Sequence, residues 1–160
     1  MKKHTLLLFI LVSATFFSCK SSKSVSESTK NVSKEKNNIV ETAKKNLGVT
    51  YKYGGTTKAG MDCSGLVFST FQKFDLKLPR SSYEMAKEGK EISKAKAEKG
   101  DLIFFRTGGS SKINHVGIIT ENKKDEILFI HSSTRKGVII SSTKETYYAK
   151  AFDKIKRVTE

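Results

Sequence analysis

Apolar residues recur with a helical period in the first half of the chain, and this pattern predicts three helices there. The first covers residues 39–47, whose apolar side chains share one face, and Gly48 is expected to cap it. The second begins near Cys63 and ends near Asp75, with apolar residues at the spacing i, i+1, i+4, i+5 and i+8. A third, short helix is expected over residues 82–89.

The second half of the chain changes to strand-like patterning. Short runs rich in β-branched and aromatic residues cover 101–106, 115–121, 126–133 and 137–142, and turn-forming stretches such as "TGGSS" and "ENKKD" separate them. The segment "FDKIKRV" near the C-terminus alternates like a further strand. Helices followed by strands that are joined through short turns predict an α+β fold, in which the helices pack on an antiparallel sheet.

Residues 1–18 have the layout of a secretory signal peptide. Lys2 and Lys3 precede an apolar run from Leu6 to Phe17, and the small residue Ser18 follows. The run has 12 residues, whereas a helix that crosses a bilayer needs about 20. We therefore expect the protein to be exported and residues 1–18 to be removed.

Cys19 directly follows the apolar run, at a position that resembles the lipid-attachment site of bacterial lipoproteins. Acylation there would anchor the protein to a membrane, because each buried methylene contributes about 0.8 kcal/mol. The alternative is an ordinary signal cleavage nearby, which leaves a free thiol. In either case we expect residues 19–37 to form a flexible tether rich in Ser and Lys, and residues 38–160 to form the folded domain.

The formal net charge is +14, and loss of Lys2 and Lys3 with the signal would leave +12. The lysines are scattered and form no basic stripe interleaved with aromatic residues, so nucleic acid is not expected as a partner. The charge fits anionic wall polymers or lipid headgroups outside the cytoplasm, and equally an ordinary solvated surface.

Cys63 stands where the second helix should begin, which makes it a candidate nucleophile. Unpaired N–H groups and the helix dipole at that position lower the pKa of a thiol. The chain has two cysteines, so a lipid on Cys19 would leave Cys63 as a lone thiol in an oxidising compartment, which favours a functional role. The alternative is a small buried core residue.

The two histidines that remain after signal removal, His115 and His131, lie at the ends of two predicted strands. A turn centred near residue 123 would make them cross-strand neighbours, about 5 Å apart at Cβ. Cys63 would then attack, His115 would take its proton, and His131 would orient His115. Zinc binding by the same three side chains is the alternative, but a fourth ligand is lacking, since Asp62 is awkwardly placed beside Cys63. Neither a metal nor a cofactor is expected.

Several short motifs occur in an order that resembles the NlpC-type family of papain-like cysteine peptidases. They are "YKYGG" (51–55), "DCSGLV" (62–67), "LPRSS" (78–82), "GDLIFF" (100–105), "HVGI" (115–118) and "HSS" (131–133). The resemblance covers residues 39–158. It implies a papain-like α+β fold with the nucleophile at a helix N-terminus.

The resemblance also implies an activity, namely hydrolysis of peptidoglycan stem peptides between the γ-carboxyl of D-glutamate and a diamino acid. Cys63, His115 and His131 match the nucleophile, the base and the orienting residue. The implied substrate-binding residues are Tyr53, Asp62, Ser64 and Arg80.

Within that set, Asp62 and Ser64 match positions that hold a terminal amine, and a carboxylate with a hydroxyl can pair with an ammonium. Met85 departs from the family pattern, where a glutamine is common, and we expect a less polar rim there. Lys99 replaces a usual proline.

Two other functions stay open at this point. A related amidase or acyltransferase would use the same Cys–His chemistry on a different bond of the wall peptides. A non-catalytic wall-binding lipoprotein would have no use for Cys63, His115 and His131 together, so their joint presence favours an enzyme. The expected location is on a membrane, facing the cell wall or the periplasm.

Overall fold

A six-stranded antiparallel sheet organises residues 22–159, which are the residues that the computed structural model describes. Its strand order is β3–β8–β4–β5–β6–β7. The bounds are β3 Lys90–Ile92, β4 Leu102–Phe105, β5 His115–Lys123, β6 Glu126–Ser133, β7 Gly137–Ser142 and β8 Phe152–Arg157. A separate two-stranded ribbon pairs β1 (Thr56–Thr57) with β2 (Gly60–Met61).

Four α-helices of the described part of the chain accompany the sheet. They are α1 (Ser22–Lys44), α2 (Cys63–Phe71), α3 (Ser82–Met85) and α4 (Thr146–Ala151). Within residues 22–159, none of the helices combines the length and the apolar character that a bilayer crossing requires.

The sheet buries side chains on both faces, which explains the unbroken apolar run of β4. Leu102 and Phe104 join the core beneath α1, α2 and α3, whereas Ile103 and Phe105 join a second core that α4 covers. A strand buried on both faces reads as a continuous apolar stretch rather than as an alternation. The predicted α+β architecture, with helices on an antiparallel sheet, is confirmed.

Helix α1 begins far earlier than the sequence pattern predicts. Residues 22–37 are helical, whereas the sequence pattern predicts a flexible tether there. The buried Lys36, 9% exposed, explains part of the difference, because its ammonium donates a 2.7 Å hydrogen bond to Glu98 while its stem packs on the domain. The predicted signal peptide and Cys19 lie outside the described residues.

The end of α1 corrects a second detail. Leu47 was expected on the buried face, yet it is 48% exposed, because the helix ends at Lys44 and residues 45–48 form a turn. The turn finishes on Gly48 with a φ of +81°, a conformation that glycine adopts without strain. Gly48 does not cap the helix as predicted, because the helix ends at Lys44 and the Gly48 N–H donates to the Val138 carbonyl instead.

The other helices and strands match the predictions with small shifts. Helix α2 continues into a 3₁₀ turn (Gln72–Phe74) and stops at Asp75, as predicted. Ser81, rather than Ser82, caps α3 by accepting a hydrogen bond from the Glu84 N–H. The short elements β1, β2, β3 and α4 were not predicted, since two to six polar or mixed residues give no readable period.

Candidate active site

Cys63 is the first residue of α2, as predicted, and it is partly exposed. Asp62 caps this helix, since its Oδ1 accepts a 2.6 Å hydrogen bond from the Gly65 N–H. The sulfur lies 4.0 Å from the carbonyl oxygen of Asn114, the residue that precedes His115. Helix α2 thus presents the thiol at the beginning of the strand that carries the first histidine.

Two contacts fix the segment before Cys63. The backbone of Gly55 packs so closely on α2 that a Cβ on Gly65 would collide with the Gly55 carbonyl oxygen, so only glycine fits at residue 65. The buried hydroxyl of Ser132 donates a 2.7 Å hydrogen bond to the Met61 carbonyl. Since Ser132 follows His131, this bond couples the position of the nucleophile to that of the second histidine.

The hairpin of β5 and β6 brings the two histidines together in a register that differs from the predicted one. Its turn is centred between Lys124 and Asp125 rather than near residue 123. A bulge between Ile119 and Glu121 adds one residue to β5. The equal spacing of the histidines about residue 123 therefore does not make them a direct cross-strand pair.

His115 and His131 are instead diagonal neighbours on one face of the sheet. Ile118 pairs with Ile130, so the continued register places Gly117 opposite His131. A Cβ at Gly117 would lie 3.3 Å from the Cβ of His131 and crowd the space between the rings. Nε2 of His115 reaches to 2.9 Å from Nδ1 of His131. The predicted contact is confirmed, through a different register.

This hydrogen bond has a direction that the chemistry of the thiol determines. Nε2 of His115 is engaged by His131, so Nδ1 is the nitrogen left to accept a proton from Cys63. In that tautomer Nε2 of His115 carries a hydrogen and donates it to Nδ1 of His131. His131 must then carry its own hydrogen on Nε2.

Tyr148 is the residue that sequence reasoning missed. Its buried hydroxyl lies 3.2 Å from Nε2 of His131, where it can accept that hydrogen. Burial raises the pKa of Tyr148 to about 12, so the phenol stays neutral. Tyr148 lies on the unpredicted helix α4, and no motif in the sequence links it to His131.

We expect Tyr148→Phe to lower kcat about tenfold and to leave KM unchanged, because the ring still packs but His131 loses the partner that fixes its tautomer. Steady-state kinetics on a wall peptide, with Tyr83→Phe as a control at an exposed tyrosine, measures this. The ¹⁵N shifts of His131 should report a change of tautomer. An unchanged kcat would remove Tyr148 from the hydrogen-bonded chain.

A model of the NlpC/P60 family matches residues 48–157 of this chain. The chain belongs to the NlpC/P60 family. It is 46% identical over 112 residues to the murein DD-endopeptidase MepS/murein LD-carboxypeptidase of Escherichia coli (strain K12), a match that covers 69% of this chain and 56% of that protein. The chain thus spans little more than half the length of this relative.

Two further similarities support the assignment to the NlpC/P60 family. The gamma-DL-glutamyl hydrolase of Bacillus subtilis (strain 168) is 38% identical over 113 residues, covering 69% of this chain and 26% of that protein. The NlpC/p60 domain of the peptidoglycan hydrolase SagA superposes with a TM-score of 0.62 at 26% identity, covering 76% of this chain and 97% of that domain. The predicted family and the papain-like α+β fold are confirmed.

In this NlpC/P60 domain the four expected substrate-binding residues gather beside Cys63. They line a cleft of about 560 Å³ and are Tyr53, Asp62, Ser64 and Arg80. Tyr53 is 89% exposed at its mouth. Met85, by contrast, is fully buried in the core, so the prediction that it makes the rim of the site less polar is wrong.

Asp62 is held by five hydrogen-bond donors. Oδ1 accepts from Ser64 Oγ, Gly65 N and Arg80 Nη1, and Oδ2 accepts from Gly54 N and Arg80 Nη2. Burial alone would raise the pKa of this carboxyl, but Arg80 and the backbone N–H donors outweigh it and lower the pKa. Asp62 therefore serves first to cap α2 and to orient Arg80, and a substrate ammonium would have to share it.

The electrostatics of Cys63 differ from the prediction. Burial raises the pKa of its thiol, although hydrogen bonds from the backbone N–H groups of Val116 and Ser64 act in the opposite direction. The negative charge of Asp62 raises the pKa further. The pKa-lowering effect of the helix N-terminus is therefore smaller than the effects that raise the pKa, and the resting thiol is protonated near neutral pH.

Burial also keeps both histidines neutral. It lowers the pKa of His115 to about 4 and that of His131 to about 3, and the neighbouring His115 adds to the effect on His131. The hydrogen bonds that link His115, His131 and Tyr148 require neutral imidazoles, since each ring must donate with one nitrogen and accept with the other. Within residues 22–159, no group of three or more His, Cys, Asp or Glu side chains is arranged to hold a metal ion.

These low pKa values predict an acid-labile domain. Below about pH 6.5 the unfolded chain binds protons on His115 and His131 that the folded domain does not, so stability should fall as the pH drops toward 4. The pKa of Asp62 is lowered from its usual value of 3.8, so this carboxyl adds to the loss of stability only below that pH. Melting temperatures between pH 7.5 and 4.5 measure the effect, and His131→Asn should reduce the slope. A flat profile in both proteins would contradict it.

Proposed function

We propose that this protein is a cysteine peptidase that hydrolyses the stem peptides of peptidoglycan. The observation that carries the proposal is the 2.9 Å hydrogen bond between His115 and His131 at the end of β5 where the thiol of Cys63 lies. A nucleophile, a base and a group that orients the base form the minimal set for acyl transfer. The relatives' names, murein endopeptidase and peptidoglycan hydrolase, support the choice of substrate.

The geometry suits a mechanism in two halves. Nδ1 of His115 accepts the proton of Cys63 as the sulfur attacks the peptide carbonyl, because the resting thiol and imidazole are both neutral. The backbone N–H groups at the start of α2 are suited to stabilise the oxyanion. His115 then returns the proton to the leaving amine, the C–N bond breaks, and a thioester on Cys63 remains. Water, deprotonated by His115, hydrolyses the thioester and releases the acid and the thiol.

Within this proposal the scissile bond joins the γ-carboxyl of D-glutamate to a diamino acid. The relative named gamma-DL-glutamyl hydrolase supports a γ-linked acyl group. Tyr53, Ser64 and Arg80 would hold the acyl half in the cleft of Cys63, with Arg80 kept in place by Asp62. Nη1 and Nη2 of Arg80 donate to Asp62, Ser64 and Gly55, so its Nε–H is the donor that remains for a substrate oxygen.

We also propose that Cys19 carries a lipid, so that the enzyme acts from a membrane and faces the cell wall or the periplasm. The sequence pattern of residues 1–19 is the support for this part. Fatty-acid labelling of wild type and Cys19→Ala tests it, since label that persists in the variant would contradict the anchor.

Digestion of purified peptidoglycan by a soluble form is the decisive experiment for the activity. This form should begin near Lys20, because α1 packs on the domain through Lys36 and would be damaged by truncation at Asn37. We expect new D-glutamyl carboxyl ends and new diamino acid amines in the mass spectrum. New ends at another bond would indicate an amidase, joined stem peptides a transferase, and an unchanged wall would contradict the proposal.

A further inference from the structure

Cys63 and His115 each line a different cleft. The first is the cleft of Cys63 described above. The second, which we call the histidine cleft, has a volume of about 500 Å³ and contains His115 in its wall. Its other lining residues include Thr107, Ser133, Arg135, Lys136 and Glu145. Nothing in the proposed binding of the acyl group uses this second cleft.

The direction of proton transfer determines which half of a substrate belongs in each cleft. The acyl half becomes bonded to Cys63 and so remains in the cleft of that residue. The leaving amine must receive its proton from His115 and therefore departs on the side of His115. A substrate that spans both residues places its leaving half in the histidine cleft.

The histidine cleft carries two cations at its rim. Arg135 and Lys136 lie in the three-residue turn between β6 and β7, immediately after the motif that contains His131. Both are exposed, and among residues 22–159 no carboxylate forms an ion pair with either of them. Two cations without an internal partner beside a catalytic base are suited to an anionic group of a ligand.

Glu145 is the one carboxylate among the lining residues of this cleft. Its Oε1 accepts a 2.8 Å hydrogen bond from the Ser142 N–H, which holds the side chain at the start of α4. A ligand with an anionic group toward Arg135 and a cationic group toward Glu145 would match the cleft. A free amino acid end with a second amine has this distribution of charge.

We propose that the histidine cleft binds the leaving half of the substrate, and that Arg135, with Lys136, pairs with a carboxylate on that half. The inference rests on the proposed peptidase function and adds to it a subsite that selects amino acids with a free carboxylate on the amine side. A guanidinium binds a carboxylate through two parallel hydrogen bonds, so Arg135 is the stronger of the two partners.

A pair of substrates that differ in one group tests this subsite. Both are γ-D-glutamyl-diamino acid peptides; one has a free carboxylate on the diamino acid and the other a carboxamide. For the carboxylate peptide, Arg135→Ala should lower kcat/KM at least tenfold, mainly through KM, while Arg135→Lys should keep part of the rate. For the carboxamide peptide, wild type and both variants should agree within about twofold. Lys144→Ala removes a nearby exposed charge outside the cleft and should match wild type on both peptides.

The outcomes separate this inference from the function on which it rests. An equal loss on both peptides in Arg135→Ala, or no loss on either, would overturn the subsite while leaving the peptidase intact. If wild type cleaves neither peptide, the proposed function fails, and calorimetry of the Cys63→Ala protein with each peptide still decides the inference. The subsite is supported if Cys63→Ala binds the carboxylate peptide more tightly than the carboxamide peptide and the double variant Cys63→Ala/Arg135→Ala does not. Equal binding of the two peptides by Cys63→Ala contradicts it.

Discussion

Cys63→Ala should abolish the hydrolysis of wall peptides, with a loss in kcat/KM of about four orders of magnitude or more. The sulfur is the atom that forms the acyl intermediate in the proposed mechanism, and loss of a nucleophile commonly costs about that much. The fold should survive, because the side chain is small and partly exposed and alanine keeps its Cβ. Cys63→Ser should be nearly as inactive, since the hydroxyl is a much poorer nucleophile here.

The measurement combines single-turnover kinetics on a γ-D-glutamyl peptide with thermal melts and mass spectrometry of the trapped acyl group. Ser69→Ala is a matched control, since it alters a side chain on the same helix whose hydroxyl bonds only the Leu66 carbonyl. Thiol alkylation should inactivate wild type in parallel with modification of Cys63. Activity of Cys63→Ala within tenfold of wild type would end the cysteine-peptidase interpretation.

The sequence predicted the residues of this site better than their electrostatics. Cys63 could be placed at a helix start because the apolar spacing after it is regular, and the structure adds that Asp62 caps this helix. Its pKa could not be predicted, since the dipole of the helix is local but burial depends on the whole fold. Residues distant in sequence, Asn114 among them, contact the thiol, and burial in the folded domain reverses the expected shift of its pKa.

The pairing of the histidines shows a similar limit. Short runs rich in β-branched and aromatic residues predicted both strands, but a bulge adds one residue to β5 without changing the residue types around it. The contact between the rings was predicted correctly because an imidazole can reach a diagonal neighbour as well as a direct one. Tyr148 could not be predicted at all, since only the packing of α4 against the sheet brings it to His131.

The early start of α1 was not predicted for a different reason. Its first half, rich in Ser and Lys, has too few apolar residues to indicate a packed helix by periodicity. Lys36 is buried although it is charged, and its ammonium donates a hydrogen bond to Glu98, 62 positions later. Charge pairs of this separation become visible only once the fold is known.

His131→Ala should lower kcat/KM by about 100- to 1,000-fold, less than the loss of Cys63, because the base is misdirected rather than absent. His131 is completely buried, with its ring against Phe129 and Tyr148, so the variant should also melt earlier. Without the acceptor Nδ1, the His115 ring can rotate or hold its hydrogen on the wrong nitrogen. The rate should therefore fall even at temperatures where the protein remains folded.

His131→Asn separates this effect from lost packing. The side-chain oxygen of asparagine can stand in for Nδ1 of His131 and accept the hydrogen bond from His115, so we expect about a tenfold recovery over His131→Ala. No such rescue should occur at the base, because the amide in His115→Asn cannot take a proton from Cys63. The four rates are to be compared with melts recorded on the same samples. Equal kcat/KM for wild type and folded His131→Ala would reduce the catalytic set to Cys63 and His115, and recovery in His115→Asn would remove His115 as the base.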